Sequence, residues 1–192
     1  MEYTFNVFNK HASGGVTMAL DTLLNAHLPP TNQIRRTPAP PVVVCIGSDL
    51  AIGDSLGPIT GSMLRYKTQG LGVYIYGTLS APVTAKEIKL LKGFLKATHK
   101  DRAVIAVDAA VGASGDVGLI KAVDKPLLPG TGANKKLGSI GDLSVLGIVA
   151  EKSISNYGLF NTTRLNLIYS MAEIISDALS ALLWEKAEKH FA

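Results

Sequence analysis

The sequence predicts a three-layer α/β/α domain built on a twisted, mostly parallel sheet. Two apolar runs without alternation, VVVCIG at residues 42–47 and AVIAVD at residues 103–108, are typical of strands buried on both faces. Helical patterns alternate with these runs, and right-handed crossovers then place helices on both faces of the sheet. Of the 192 residues, 47% are hydrophobic and 18% are charged, which favours one substantial core.

The N-terminal part of the chain begins with a helix, which the spacing of its apolar residues predicts over residues 16–28. Pro29 and Pro30 end this helix, and five of the nine prolines fall in the extended connector that begins there. We therefore expect an N-terminal helical arm with a Pro-rich connector at residues 1–41, followed by a single α/β domain at residues 42–192.

Within that domain, the strand at residues 42–47 leads into a helix over residues 58–68, with Pro58 in its first turn. The next strand is VYIYG at residues 73–77. Thr84 and Glu87 have the spacing of a capping box, which predicts a helix that reaches about Thr98.

The second half of the domain begins with the strand at residues 103–108, which ends in Asp108. A weaker strand follows at residues 117–123, and the segment LSVLGIVA is compatible with either a helix or a strand. Apolar residues at helical spacing from Leu167 to Leu183 predict a long terminal helix packed against the sheet.

Charge, cysteine content and hydropathy limit the class of protein. The 19 basic and 15 acidic residues are spread along the chain, so nucleic-acid binding is permitted but not indicated. The single cysteine, Cys45, excludes an intramolecular disulfide and fits a reducing cytosol. No apolar run of membrane-spanning length and no export signal are found, so we expect a cytoplasmic protein that does not bind membranes. Its apolar composition is compatible with self-association.

Three glycine-bearing loops are candidate site loops, because ligands of open parallel sheets bind at the carboxyl ends of the strands. They are GSDLAIGDSLG, DAAVGASGDVG and PGTGANKKLGSIG. Asp54 lies in the first loop and Asp108 at the predicted strand end, so we predict that both carboxylates face one cleft. Two adjacent carboxyl groups cannot both ionise freely, and such a pair can polarise a water molecule or share a metal. Alternatively, Asp54 caps the next helix and Asp108 forms a turn.

The third loop is the predicted substrate-binding segment. Its glycines allow backbone amides to face an anion or a carbonyl, and a lysine adds positive charge. The residues concerned are Gly130, Thr131, Gly132, Asn134 and Lys135. The spacing of a P-loop is absent, and an ordinary surface turn remains the alternative.

Residues 53–56 spell GDSL, the motif in which some esterases carry a serine nucleophile. Such a serine needs a base, but no aspartate lies three residues before His190, and the other histidines lie in the arm or at a helix end. Cys45 lies inside an apolar strand and is predicted to be inert packing.

Four segments together make the chain from residue 42 onward resemble the sporulation proteins of the YyaC type, which are related to the germination protease of endospore-forming bacteria. The segments are VVVCIGSDLAIGDSLGP, GTLSAPVTAKEI, AVIAVDA and PGTGANKKLGSIG. The two aspartates proposed as catalytic in the germination protease correspond to Asp54 and Asp108. The hydrogenase maturation endopeptidases are more distantly similar, and there the matching acids and a later histidine contact nickel. The resemblance implies their shared three-layer fold.

This sequence departs from both relatives. No histidine lies between Asp108 and His190, and Leu128 stands where the germination protease has a histidine. The expected chemistry is therefore metal-free and needs no cofactor, although a metal shared by Asp54 and Asp108 is conceivable.

The resemblance implies a sporulation-associated endopeptidase of the forespore cytosol that acts on small spore proteins or a sporulation factor. The arm would then be a removable pro-segment or a docking arm. A non-catalytic binding or regulatory protein on the same scaffold is the alternative, followed by a GDSL-type esterase or a nucleotide-handling hydrolase.

Overall fold

Six strands form the central sheet of the computed structural model, which describes residues 1–27, 39–129, 138–152 and 163–191. In chain order they are β1 (Glu2–Asn6), β2 (Val42–Cys45), β3 (Ile75–Tyr76), β4 (Val104–Gly112), β5 (Leu119–Val123) and β6 (Leu143–Glu151). They lie side by side in the order β1-β5-β6-β4-β2-β3. β5 runs antiparallel to the other five strands, so the sheet is mostly parallel, as predicted.

Helices cover both faces of this sheet. They are α1 (Ala12–His27), α2 (Leu56–Lys67), α3 (Ile88–Thr98) and α4 (Leu165–Phe191). Buried residues of α1, α2 and α4 form one apolar cluster with one face of the sheet, and α3 packs in a second cluster on the opposite face. The predicted three-layer α/β/α fold is therefore confirmed.

The apolar run that becomes β2 is fully buried because both of its faces are covered. Val43 and Cys45 pack in the cluster with α1, α2 and α4, whereas Val42 and Val44 pack in the cluster with α3. A strand covered on two sides carries no polar alternation, which explains the sequence pattern.

The N-terminal residues contribute more than the predicted helix. Glu2–Asn6 form the edge strand β1, which pairs antiparallel with β5 from Glu2 opposite Val123 to Asn6 opposite Leu119. The helix α1 packs against α4, and its apolar residues belong to the same cluster as β2 and β4. Residues 1–27 thus share the sheet and the core with the later part of the chain. Most of the predicted Pro-rich connector lies outside the described residues.

The prediction that a strand ends at Asp108 is wrong. β4 continues to Gly112 and stays paired with β6 as far as Glu151, with an irregularity between Ala110 and Val111. The segment LSVLGIVA, whose sequence is compatible with a helix or a strand, forms β6 and pairs with this extension of β4. On its other side β4 pairs with β2 only as far as Val107. Asp108 is therefore the first residue of β4 beyond the pairing with β2.

Glycines allow the backbone to crowd together where β2 ends. A Cβ at Gly57, in the first turn of α2, would lie 2.0 Å from the carbonyl oxygen of Ile46. Gly47 has a φ of +141°, and a Cβ there would lie 2.1 Å from the carbonyl oxygen of Asp54. Both contacts are shorter than any carbon side chain tolerates, so the loop after β2 and the start of α2 depend on these glycines.

The terminal helix α4 has the length and mean hydropathy of a membrane-spanning helix. However, 56% of its apolar stretch is buried, and residues from Ile168 to Ala187 pack against the sheet and the neighbouring helices. This packing is that of a core helix.

We predict that Gly57→Ala destabilises the protein by about 3 kcal/mol, because the new methyl group overlaps the carbonyl oxygen of Ile46 and forces the backbone apart. Gly93→Ala is the matched control, because Gly93 lies in α3 with nothing within 4 Å of its Cβ position. That control should gain about 0.5 to 1 kcal/mol from the higher helix propensity of alanine. Urea unfolding measures both variants, and equal stabilities would contradict the close approach at β2.

Candidate active site

Asp54 lies in the loop that joins β2 to α2. Residues Ile52–Asp54 form a short 3-10 turn, in which the Asp54 N–H donates to the carbonyl oxygen of Ala51 at 3.0 Å. The Ser48 N–H donates to the Asp54 carbonyl oxygen at 3.0 Å and closes the loop. Ser55, not Asp54, occupies the N-cap position of α2. The alternative in which Asp54 caps this helix is therefore not observed.

Asp108 lies on β4 just past the end of β2. The Ile46 N–H donates to the Val107 carbonyl oxygen at 2.8 Å. This hydrogen bond holds Val107 at the point where β2 ends beside β4. On the other side, Asp108 is opposite Leu146 of β6. The 3-10 turn that carries Asp54 lies against β4, so the two aspartates are brought together although 54 positions separate them in the sequence.

Burial raises the pKa values of both carboxyl groups, and the charge of Asp54 adds to the shift of Asp108. Burial raises the pKa of Asp54 to about 6, against a smaller lowering effect from the backbone of Ser48. Burial and then the charge of Asp54 raise the pKa of Asp108 well above its usual value, although the Ala109 N–H, 2.8 Å from the Asp108 carboxyl group, acts in the opposite direction. The residue Asp108 as a whole is partly exposed to solvent, but its carboxyl group is buried among protein atoms. Both environments therefore favour the protonated carboxyl groups, and an ionised Asp54 acts against ionisation of Asp108.

The segment after β3 is a part of this region to which the sequence assigned no role. Residue Val83 forms a parallel bridge with Ile46, and its carbonyl oxygen accepts from the Gly47 N–H at 3.0 Å. The backbone of Thr78 pairs with that of Ala81 in a tight turn. Pro82, which directly precedes the bridged residue Val83, is the signal in the sequence that could have identified this extended segment at the carboxyl edge of the sheet.

A cavity of about 750 Å³ borders β3, the outermost strand on this side of the sheet. Its lining runs from Ser62 and Arg65 of α2 to Tyr74 and Ser80. Asp54 and Asp108 are not among its lining residues. The cavity thus follows the open edge of the sheet toward the turn after β3.

The predicted substrate-binding residues of the third loop lie outside the described residues. They are Gly130, Thr131, Gly132, Asn134 and Lys135. Their role stays a prediction.

The two other candidate nucleophiles occupy inert positions. The Ser55 hydroxyl is buried and donates to the carbonyl oxygen of Ile52 at 2.7 Å. Burial raises the pKa of the Cys45 thiol to about 12, so the thiol stays protonated at neutral pH. Neither side chain is therefore prepared for nucleophilic attack as the carboxyl pair is prepared for proton transfer.

Within residues 1–27, 39–129, 138–152 and 163–191, no three His, Cys, Asp or Glu side chains form a group that could hold a metal ion. Asp54 and Asp108 would supply two carboxylate ligands. Two ligands are fewer than the three protein ligands of a typical catalytic zinc site.

Comparison with known proteins gives the family of the chain. Residues 17–178 match the family described as "Protein of unknown function (DUF1256)". The chain is also 39% identical over 171 residues to "Uncharacterized protein YyaC" of Bacillus subtilis (strain 168), and this match covers 88% of the chain and 80% of that protein. The predicted resemblance to YyaC-type proteins is thus confirmed, while the relationship to the germination protease stays a prediction. The chain belongs to the DUF1256 family.

Proposed function

We propose that this protein is a peptidase in which Asp54 and Asp108 activate water for hydrolysis of a peptide bond. One observation carries the proposal. The two carboxyl groups lie close enough to interact electrostatically, burial raises both of their pKa values, and the charge of Asp54 adds to the shift of Asp108. Pairs of titratable groups whose environments separate their pKa values are typical of general acid–base sites.

Asp54 is the general base. With a pKa of about 6, its carboxyl group is ionised at neutral pH yet remains more basic than an ordinary aspartate. It takes a proton from a water molecule as the water oxygen bonds to the carbonyl carbon of the substrate.

Asp108 is the general acid. Its carboxyl group keeps its proton at a pH where Asp54 is ionised, and it gives that proton to the nitrogen as the C–N bond breaks. The products are a carboxylic acid and an amine. Proton transfer from Asp54 to Asp108 then restores the starting state, so the cycle needs no cofactor.

The open edge beside β3 supports an extended polypeptide as the substrate. In the parallel pairing with β2, the Tyr74 carbonyl oxygen accepts from the Val43 N–H at 3.0 Å. The N–H and C=O groups of Ile75 therefore point away from β2, toward the edge that no other described strand covers. An extended peptide can pair with such an edge, and the cavity there gives it room.

The proposed setting is spore formation in the forespore cytosol, with small spore proteins or a sporulation factor as the substrate. The support for this setting is the resemblance of the motifs around Asp54 and Asp108 to those of the germination protease.

A non-catalytic binding protein on the same scaffold is the second candidate. Two buried carboxyl groups can hold a cationic or hydrogen-bonding ligand without catalysing a reaction. Peptide cleavage that depends on Asp54 distinguishes the two candidates.

Asp54→Asn and Asp108→Asn are each expected to lower kcat/KM about 10²- to 10⁴-fold, because each removes one proton-transfer group. The substrates are purified small spore proteins and the chain's own N-terminal segment, and mass spectrometry measures their cleavage. Asp49→Asn is the matched control, because Asp49 is exposed in the same loop as Asp54.

Cleavage that both aspartate variants leave unchanged would show that the pair is not catalytic. Treatment with EDTA should leave the rate unchanged, because the proposed cycle uses only the two carboxyl groups. A rate that EDTA abolishes and added divalent metal restores would overturn the metal-free mechanism.

The folded protein is also expected to lose stability as the pH rises, because the Asp54 carboxyl group ionises. Its pKa is higher in the folded state than in the unfolded state, where it is near 3.8, so the native protein binds more protons between about pH 4 and about pH 6. The free energy of unfolding should fall through this window and stay reduced above it. Asp54→Asn should therefore stabilise the protein at neutral pH by about 1 to 2 kcal/mol, allowing for the part of the carboxyl group that solvent reaches.

Urea unfolding at a series of pH values measures this effect, with Asp49→Asn as the control. If Asp54→Asn were no more stable than the wild type at neutral pH, this would contradict the prediction that burial of the Asp54 carboxylate lowers the free energy of unfolding.

A further inference from the structure

The positive charge of this protein is concentrated in one short stretch. Residues 86–102 contain six basic residues and two acidic residues, so this stretch accounts for the whole formal net charge of +4. The rest of the chain has 13 basic and 13 acidic residues and is neutral. The six basic residues are Lys86, Lys89, Lys92, Lys96, Lys100 and Arg102.

Helical spacing places three of these cations on one flank of α3. Lys89, Lys92 and Lys96 follow one another at intervals of three and four residues, and Lys100 continues the row just past the helix end. Residues at such intervals are neighbours on the helix surface, about 5 Å apart along its axis. The row therefore presents successive ammonium groups in a line.

Three lysines of this row form one wall of a cavity of about 420 Å³. Lys92, Lys96, Lys100 and Arg102 line the cavity, together with residues 139–142 on the opposite side. We call this cavity the lysine groove. It lies on the face of the sheet that α3 covers, whereas the helix α2 that follows Asp54 covers the other face.

The cations of the lysine groove form no ion pair with the described part of the protein. No described carboxylate lies within 4.0 Å of the charged groups of Lys92, Lys96, Lys100 or Arg102. Asp142, the acid in the lining, accepts the Val104 N–H at 2.8 Å.

Neighbouring residues hold the side chains of Glu87 and Arg102 in place. The Glu87 carboxylate is held by the Thr84 N–H and hydroxyl at the start of α3, which lowers its pKa and ties it back to the chain. Arg102 is anchored by the Pro40 carbonyl oxygen, 2.9 Å from its guanidinium, and lies 5.0 Å from the centre of the Tyr74 ring.

We propose that the lysine groove binds the phosphate backbone of a nucleic acid. A line of ammonium groups without a described carboxylate partner is complementary in charge to a nucleic acid strand, which carries one negative phosphate for about every 3.4 Å of helix axis. The exposed apolar side chains of α3, Leu90 and Phe94, lie on the other flank of the helix, about 140° around the axis from the lysine row, so the row lacks the adjacent apolar groups with which an interfacial helix enters a bilayer.

The test is fluorescence anisotropy with a labelled duplex DNA and a labelled single strand over about 50 to 200 mM salt. The full chain should bind both, with a Kd in the range of about 10⁻⁶ to 10⁻⁴ M at the higher salt and tighter at the lower. The triple variant Lys92→Gln, Lys96→Gln, Lys100→Gln should reduce the slope of log Kd against log salt for the duplex by about 2 to 3, because each lost phosphate contact contributes about 0.9.

The matched control is the triple variant Lys10→Gln, Lys125→Gln, Lys152→Gln. It changes the net charge equally at three exposed lysines outside the groove. Because the control should retain the wild-type slope, an equal loss in both triple variants would overturn the proposal and indicate binding by net charge alone.

Three further outcomes would also overturn it: no DNA binding at the lowest salt, tighter binding to phosphatidylserine vesicles than to DNA, or tighter binding to polyglutamate than to DNA. Circular dichroism and thermal unfolding check that both triple variants are folded. Asp54→Asn should bind DNA as the wild type does, so this proposal and the proposed peptidase activity can fail separately.

Discussion

The crowded backbone at the end of β2 is the constraint on which the candidate site depends. A Cβ at Gly77 would lie 1.8 Å from the Cys45 carbonyl oxygen, and a Cβ at Gly57 would lie 2.0 Å from that of Ile46. Glycine is therefore required where β3 ends and where α2 begins. These close approaches draw α2, the loop before it and the segment after β3 onto the last residues of one buried strand. Asp54 lies on that loop, so the same crowding places it against β4.

The different lengths of the strands complete the site. β2 stops beside Val107 while β4 continues with β6, so Asp108 lies beside the point where one neighbouring strand has ended. This position buries a carboxyl group inside a sheet and places a second one close by. Both features raise pKa values and reduce stability, and stability is often given up in this way at functional sites. The stability cost and the proposed catalysis thus have the same physical origin.

The sequence predicts what is encoded locally and misses what depends on a partner strand. The run VVVC predicts β2, and the motifs identify both aspartates, because burial on two faces and loop chemistry are visible in a few residues. The extension of β4 past Asp108 depends on the length of β6, whose own segment was compatible with a helix. β1 is stabilised by β5, a strand more than 100 residues away. The net charge of the whole chain does not reveal the lysine row, although the spacing of these lysines on a predicted helix could have shown it.

The most direct test of the account is a ¹³C NMR titration of the carboxyl groups of Asp54 and Asp108 in the folded protein. The account predicts that Asp54 titrates near pH 6, that Asp108 is still protonated when Asp54 ionises, and that Asp54→Asn lowers the pKa of Asp108. Two independent titrations near the ordinary aspartate value of about 3.9, unaffected by removal of the other carboxyl group, would contradict it.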